Sequence, residues 1–328
     1  LARAARVEPA APAAIAAGTR RLLLIHLKDR IGDFLCATPA IGAFRARFPH
    51  ARIALLAHKI AGEVAGANPD VDEVIVYGQG AGALRRIRNF QPDTAVVLAA
   101  ASFSLTAAVF ALASGARYRI GDDAADYGGE FPSTRGLFHA VAAHPPGTAH
   151  QVDRYLSYAR LFACPDVERR YRLKLPSHVG ADLQVGPPFI AIQPTNTEED
   201  SWPVARWIAL GQALREKLHS PIVCVAGPGQ EARAHAVRGG ITGATVLERQ
   251  PLMTVAAALA RARLFVAHDS GLAHLAAAVG TPAVTLFGLG DPAQWAPIGP
   301  NRVVVEAPEK SMDRLPVEPV LSAALSLL

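Results

Sequence analysis

The sequence predicts an α/β protein of two domains, each built on a parallel sheet, with a cleft between them. Three observations carry that expectation. Short apolar, branched runs alternate with helix-length amphipathic segments, the pattern of repeated βαβ units. The alternation occurs twice. The 328 residues also exceed what one typical core of about 100–200 residues organises.

Taken in order, residues 1–19 are rich in Ala and Pro and include Arg3 and Arg6 without a continuous apolar stretch, so they read as a flexible tail and not a secretory signal. Residues 20–175 read as a first domain. Its strands are expected over Arg21–Leu27, Arg52–Ala57, Glu73–Tyr77, Thr94–Leu98 and Arg117–Ile120, and its helices over Phe34–Phe48, Ala81–Asn89, Leu105–Ala113 and Val152–Phe162. The stretch Gly121–His150 is rich in Gly, Pro and Asp and lacks a clear period; it is too long for a plain connection, so it reads as functional or mobile and near the cleft. Residues 176–188, broken by Pro and Gly, read as a linker. The second domain, 189–328, has expected strands over Phe189–Gln193, Pro221–Ala226, Thr245–Leu247, Leu264–Ala267 and Ala283–Phe287. Helices are expected over Val204–Leu218, Gln230–Arg238, Met253–Ala260 and Leu272–Val279, and a last amphipathic one over Val317–Leu328 can pack on either domain.

Composition narrows the class. With 51% hydrophobic and 19% charged residues the chain has the means to build a core, which excludes a mainly disordered protein. No apolar run reaches the roughly 18–20 residues of a membrane span; Val96–Ala113 and Leu272–Phe287 are both interrupted. A cytoplasmic protein is expected. Cys36, Cys164 and Cys224 lie far apart without metal or redox spacing, and they read as buried thiols. Charge is uneven: residues 1–175 hold 22 Lys and Arg against 15 Asp and Glu, while 176–328 hold 11 against 13. The first half therefore suits an anionic partner, or simply carries surface charge. Nucleic acid fits least, because no long basic block or basic–aromatic interleaving occurs.

Ligands of parallel α/β sheets bind outside the carboxyl ends of the strands, where strand-to-helix turns offer free N–H groups and a positive helix dipole. In Leu264–Gly280 an apolar strand runs through Asp269-Ser270-Gly271 directly into a helix. Ser270 and Gly271 would offer N–H groups to a phosphate, Asp269 would accept sugar hydroxyls, and His274 lies one turn in; the alternative is a plain helix cap and a core histidine. In Arg21–Phe34 the first strand leads to Gly32-Asp33 at the mouth of a helix, where Asp33 is either a base for an attacking hydroxyl or a cap. Lys28 and Arg30 on the same loop would bind phosphate or stay solvated. Thr195 and Asn196 end a further strand and suit phosphate, sugar or capping.

These residues resemble glycosyltransferase family 9, the ADP-heptose:lipopolysaccharide heptosyltransferases. The match rests on Ile31-Gly32-Asp33 with Pro39 and Phe48-Pro49, on Trp202-Pro203 with Trp207, and on Asp269-Ser270-Gly271 with His274, Pro282, Leu286-Phe287-Gly288, Asp291-Pro292 and Trp295. It covers most of residues 20–328. The resemblance implies a GT-B architecture, two Rossmann-like domains facing across a cleft, and an inverting transfer that needs no cofactor or metal. It implies Asp33 as general base, Thr195, Asn196, Asp269, Ser270 and Gly271 with His274 at the donor, and an anionic glycolipid or oligosaccharide acceptor on the basic half. Lys28, Arg30 and Gly32 are expected as phosphate or acceptor contacts from this chain's own loop. Such an acceptor would bring the chain into peripheral contact with the inner membrane. Two places depart from the family. Where the family has Lys two residues before Trp-Pro, this chain has Asp200, and Lys28-Asp29-Arg30 replaces small hydroxyl residues. Lys28 or Arg30 is expected to supply the missing charge; the alternatives are a different donor sugar or a sugar-nucleotide-binding protein with weakened activity. A nicotinamide-dependent oxidoreductase is disfavoured, since no Gly-x-Gly-x-x-Gly follows the first strand.

Overall fold

The computed structural model describes residues 6–78, 82–99, 102–128, 132–145, 149–164, 168–180, 186, 188–195 and 201–328. The chain divides into two compact units, Leu1–Arg172 and Leu173–Leu328. Among the described residues no helix is long and apolar enough to cross a membrane.

The first unit corrects the flexible-tail expectation. Helix α1 (Pro12–Gly18) starts on a Pro whose fixed φ suits a first turn. Its Ile15 is fully buried, and the amides of Val7 and Ala10 bond to the carbonyls of Gly136 and His139. One apolar side chain and two backbone bonds hold what composition alone leaves loose. There follow β1 (Arg21–His26), α2 (Ile31–Arg47), β2 (Arg52–Ala57), α3 (Lys59–Ala65), β3 (Glu73–Val76) and α4 (Gly82–Phe90). The unit continues with β4 (Thr94–Val97), α5 (Leu105–Ala113), β5 (Tyr118–Gly121), β6 (Ala140–Val141) and α6 (Gln151–Arg160). The sheet is parallel, in the order β3-β2-β1-β4-β5-β6. β1 is buried along Leu22–His26 because helices cover both faces, which is why it reads as a continuous apolar run.

The second unit repeats the plan. Its elements are β7 (Phe189–Gln193), α7 (Val204–Leu218), β8 (Ile222–Val225), α8 (Glu231–Gly239), β9 (Thr245–Leu247) and α9 (Leu252–Arg261). Then come β10 (Ala262–His268), α10 (Gly271–Ala278), β11 (Ala283–Phe287), α11 (Pro292–Trp295), β12 (Arg302–Glu306) and α12 (Val317–Leu325). Parallel strands run β9-β8-β7-β10-β11-β12, the order of the first unit again. The order reverses between β1 and β4 in one sheet and between β7 and β10 in the other, and such switch points open a crevice for ligands. The last helix, α12, packs Val320 and Ala324 into the second unit's core beside Leu210 and Leu214 of α7.

Candidate functional site

In the first unit β1 feeds Leu27–Arg30 into α2 at the switch point. Arg30 is the N-cap residue and makes no side-chain capping bond, so Asp33 stands in the first helical turn and is not the cap. It is 6% exposed, and its Oδ1 has no hydrogen-bond partner among the described residues. Burial raises the Asp33 pKa above the ordinary carboxylate value, opposed by the positive charges of Lys28 and Arg30 and helped by Asp29. A desolvated carboxylate of raised pKa, with an oxygen left over, is chemically able to take a proton.

Besides these charged loop residues, Asp33 has buried neutral groups near it. Tyr155, from α6, is fully buried, with its hydroxyl 3.1 Å from Nε2 of His26 at the end of β1. The His26 ring meets Phe34 edge-on at 5.6 Å. Burial, helped by Lys28, pushes the His26 pKa down to about 3, so the imidazole is uncharged near neutrality. Lys28 Nζ donates to Ser102 Oγ beyond the end of β4, Arg30 is exposed and Gly32 is buried. Asp29 beside them is exposed too.

A second buried network ties α6 to the strand ends. Nε2 of His144 lies 2.6 Å from Asp122 Oδ1, Tyr158 donates its hydroxyl proton to Asp122 Oδ2 at 2.6 Å, and the Ala99 amide donates to Tyr158 Oη at 3.0 Å. These residues explain the stretch Gly121–His150: its described part supplies β6 and anchors, with Asp123 accepting from Ser133 Oγ and the Thr134 amide. Sequence reasoning missed Tyr155, Tyr158, Asp122 and His144. The available signal was the i,i+3 pair of tyrosines on a helix that also buries Gln151, Arg154 and Ser157.

In the second unit the switch point brings the ends of β7 and β10 together. Ser270 caps α10, accepting from the Ala273 amide, and its hydroxyl donates to Gln193 Oε1 at 2.7 Å. The hydroxyl is thus occupied, whereas the N–H groups of Gly271 and Leu272 have no acceptor within the helix and point where an anion is favoured. Thr195 is buried and donates to Gln230 Oε1 at 2.7 Å. The Asp269 amide donates to the Leu286 carbonyl at 2.8 Å. Gly290 approaches so closely that a Cβ there would lie 2.7 Å from Asp269 Oδ2. His274 is 2% exposed. The expectations for Asn196 and Asp200 fall outside the described residues.

One side chain holds two backbone carbonyls of this unit. Arg233 of α8 donates from Nε to the Pro194 carbonyl at 2.8 Å and from Nη2 to the Trp202 carbonyl at 2.6 Å. The Trp202 amide donates to His268 Nε2 at 2.8 Å, its indole N–H to the Leu315 carbonyl at 2.8 Å, and its ring meets Trp207 edge-on. Burial and the Arg233 charge push His268 down to about 3, keeping Nε2 free to accept. The Trp202–Trp207 motif therefore anchors α7 in the core. Arg233 was invisible in the sequence because its partners are main-chain carbonyls.

The family described as "Glycosyltransferase family 9 (heptosyltransferase)" matches residues 84–320, which include Thr195 and Asp269–His274 and leave Asp33 outside. Lipopolysaccharide heptosyltransferase 1 of Escherichia coli K12 is 26% identical over 194 residues, covering 58% of this chain and 61% of that protein, under two thirds of its length. Lipopolysaccharide heptosyltransferase 3 of Escherichia coli is 26% identical over 296 residues, 83% of this chain and 85% of its own. Among solved structures, the E. coli heptosyltransferase WaaC with ADP superposes with a TM-score of 0.75 at 20% identity, covering 94% of this chain and all of that one. The last likeness shows a shared GT-B fold.

Proposed function

The chain belongs to glycosyltransferase family 9, and from that premise we propose that it moves a heptose from a nucleotide-diphosphate donor, ADP-heptose, to a hydroxyl of a lipopolysaccharide core or related anionic acceptor. Asp33 takes the hydroxyl proton as the acceptor oxygen bonds to the anomeric carbon. The bond from that carbon to the diphosphate oxygen breaks, the configuration inverts, and the nucleoside diphosphate leaves with the electron pair. In the second unit the N-terminus of α10 meets the diphosphate, Asp269 and Thr195 with Asn196 meet sugar and phosphate groups, and His274 supports the turn from within α10. Lys28 and Arg30 supply positive charge to phosphate, and Gly32 lets an acceptor approach. The protein works in the cytoplasm, in peripheral contact with the inner membrane where a glycolipid acceptor is anchored.

Asp33 carries the reading: a buried carboxylate of raised pKa, with one oxygen lacking a partner among the described residues, supports a base and does not support a cap. The acidic run Glu198-Glu199-Asp200, in place of the family lysine, favours a second reading, a sugar-nucleotide-binding protein of weakened activity. Asp33→Asn separates the two. With ADP-heptose and a phosphorylated core acceptor, kcat is expected to fall about 10²–10⁴-fold while donor affinity holds. The acid limb of kcat/KM in the unmutated protein should lie above the usual carboxylate range, because a raised pKa keeps the base protonated to higher pH. Undiminished turnover in Asp33→Asn removes Asp33 from the mechanism, and a chain that binds donor without turnover favours the second reading.

A further inference from the structure

Helices α4 and α5 cover one face of the first sheet, where Ile87 and Ala111 share a core with Ile25 and Val97. Their outer sides form one surface, and along α5 that surface is apolar. Leu105 and Val109, one helical turn apart, are 64% and 53% exposed, where a water-facing helix ordinarily carries polar groups. The stripe runs on to Ala113, whose carbonyl accepts from Arg88 Nε at 3.3 Å. Arg85 and Arg88 are exposed on α4, and Arg117 is exposed just past α5.

Charge here is mostly positive. Residues 74–121 contain five Arg and a single carboxylate, Asp93. That carboxylate is engaged, accepting the Arg20 and Arg21 amides at 2.8 Å. Arg86 pairs with Glu73 at 2.9 Å and Arg119 donates to the Leu137 carbonyl; Arg85, Arg88, whose Nε bonds the Ala113 carbonyl, and Arg117, stacked on the Tyr118 ring, lie exposed around the apolar stripe. Two exposed side chains are too few for a stable protein interface, which buries about 1,200–2,000 Å². They suit a bilayer, where apolar groups enter the headgroup boundary and guanidiniums meet lipid phosphates.

We infer that the α4–α5 face of the first unit docks on an anionic phospholipid surface, with Leu105 and Val109 inserted and Arg85, Arg88 and Arg117 on the phosphates. The purpose of the docking rests on the glycolipid-acceptor reading above. Leu105 lies three residues past Ser102, the partner of Lys28, so docking brings the Asp33 loop to the level at which a lipid-anchored acceptor presents its sugar.

The test is co-sedimentation of the full chain with vesicles, phosphatidylglycerol mixed with phosphatidylcholine against phosphatidylcholine alone, without donor or acceptor. Binding is expected only where phosphatidylglycerol is present, weakening with salt. Leu105→Ser with Val109→Ser should lower partitioning roughly tenfold, and Arg85→Ala with Arg117→Ala roughly fivefold for each arginine. Thermal melts should show both variants folded, and turnover on a lipid-free acceptor should match the unmutated chain. Wild-type failure to bind phosphatidylglycerol, or variants that bind as well as wild type, overturns the inference. So does a wild-type dimer in sedimentation that the Leu105/Val109 variant abolishes, since the face would then serve a second copy. Intact vesicle binding without turnover in the wild type counts against the transferase reading and leaves docking standing.

Discussion

At Asp269 the chain leaves no room for a side chain at position 290. A methyl group there would lie 2.7 Å from Oδ2 and 3.2 Å from the Phe287 ring, so the carboxylate has to swing away. The far end of a flexible carboxylate gives way at little cost to the fold, but its direction toward a donor changes. Gly290→Ala is therefore expected to raise the donor KM several-fold with a smaller effect on kcat; equal donor KM values would detach Asp269 from the sugar. Asp33 shows the opposite tension. Its folded pKa is raised, so the folded state favours the neutral acid and ionisation at neutral pH weakens the fold. The Asp33→Asn protein that loses turnover should therefore melt higher than the parent at pH 7.

Among the elements, β7, β10 and α10 meet at one switch point, and hydrogen exchange can find it. With ADP at a hundredfold excess over its Kd, a ligand that binds only the folded state adds about 2.7 kcal/mol. Slowed exchange is expected in β7, β10 and the first turn of α10, with β1 and α2 unchanged; protection confined to β1 and α2 would put the nucleotide in the wrong unit. These strands were legible in the sequence because each places adjacent apolar residues just before a turn and a helix. β6, with two residues, and α3, with seven, are too short to show a period, and β12 is an edge strand whose valines are only half-buried. The candidate site divides in the same way. Asp33 and Asp269–Ser270–Gly271 lie within single strand–turn–helix segments, so the sequence alone could single them out as candidates. Tyr155 could not, because its partner His26 is 129 positions away, and Arg233 is recognised only through two carbonyls.

Among the described residues, each unit holds a fully buried histidine whose pKa burial lowers to about 3, His26 in the first and His268 in the second. The unfolded chain protonates these rings near pH 6.5 while the folded chain does not. Stability is thus complete above about 6.5 and lost as pH falls toward the folded value, by about 2 kcal/mol per ring between pH 7 and 5. Asp33, shifted the other way, offsets part of the loss. A denaturant midpoint that stays level from pH 7 to 5 would show that these rings are not held neutral. The repeated strand order also sets a timetable. β1 pairs with β4 from Leu22 to Thr94, and β7 pairs with β10 from Ile190 to Leu264, so each central strand waits more than seventy residues for its second neighbour. At about 5–20 residues per second, a ribosome leaves that edge open for roughly 4–15 s. Each half passes through its own interval of unpaired backbone, and the seam at its switch point is the one whose two strands wait longest for each other.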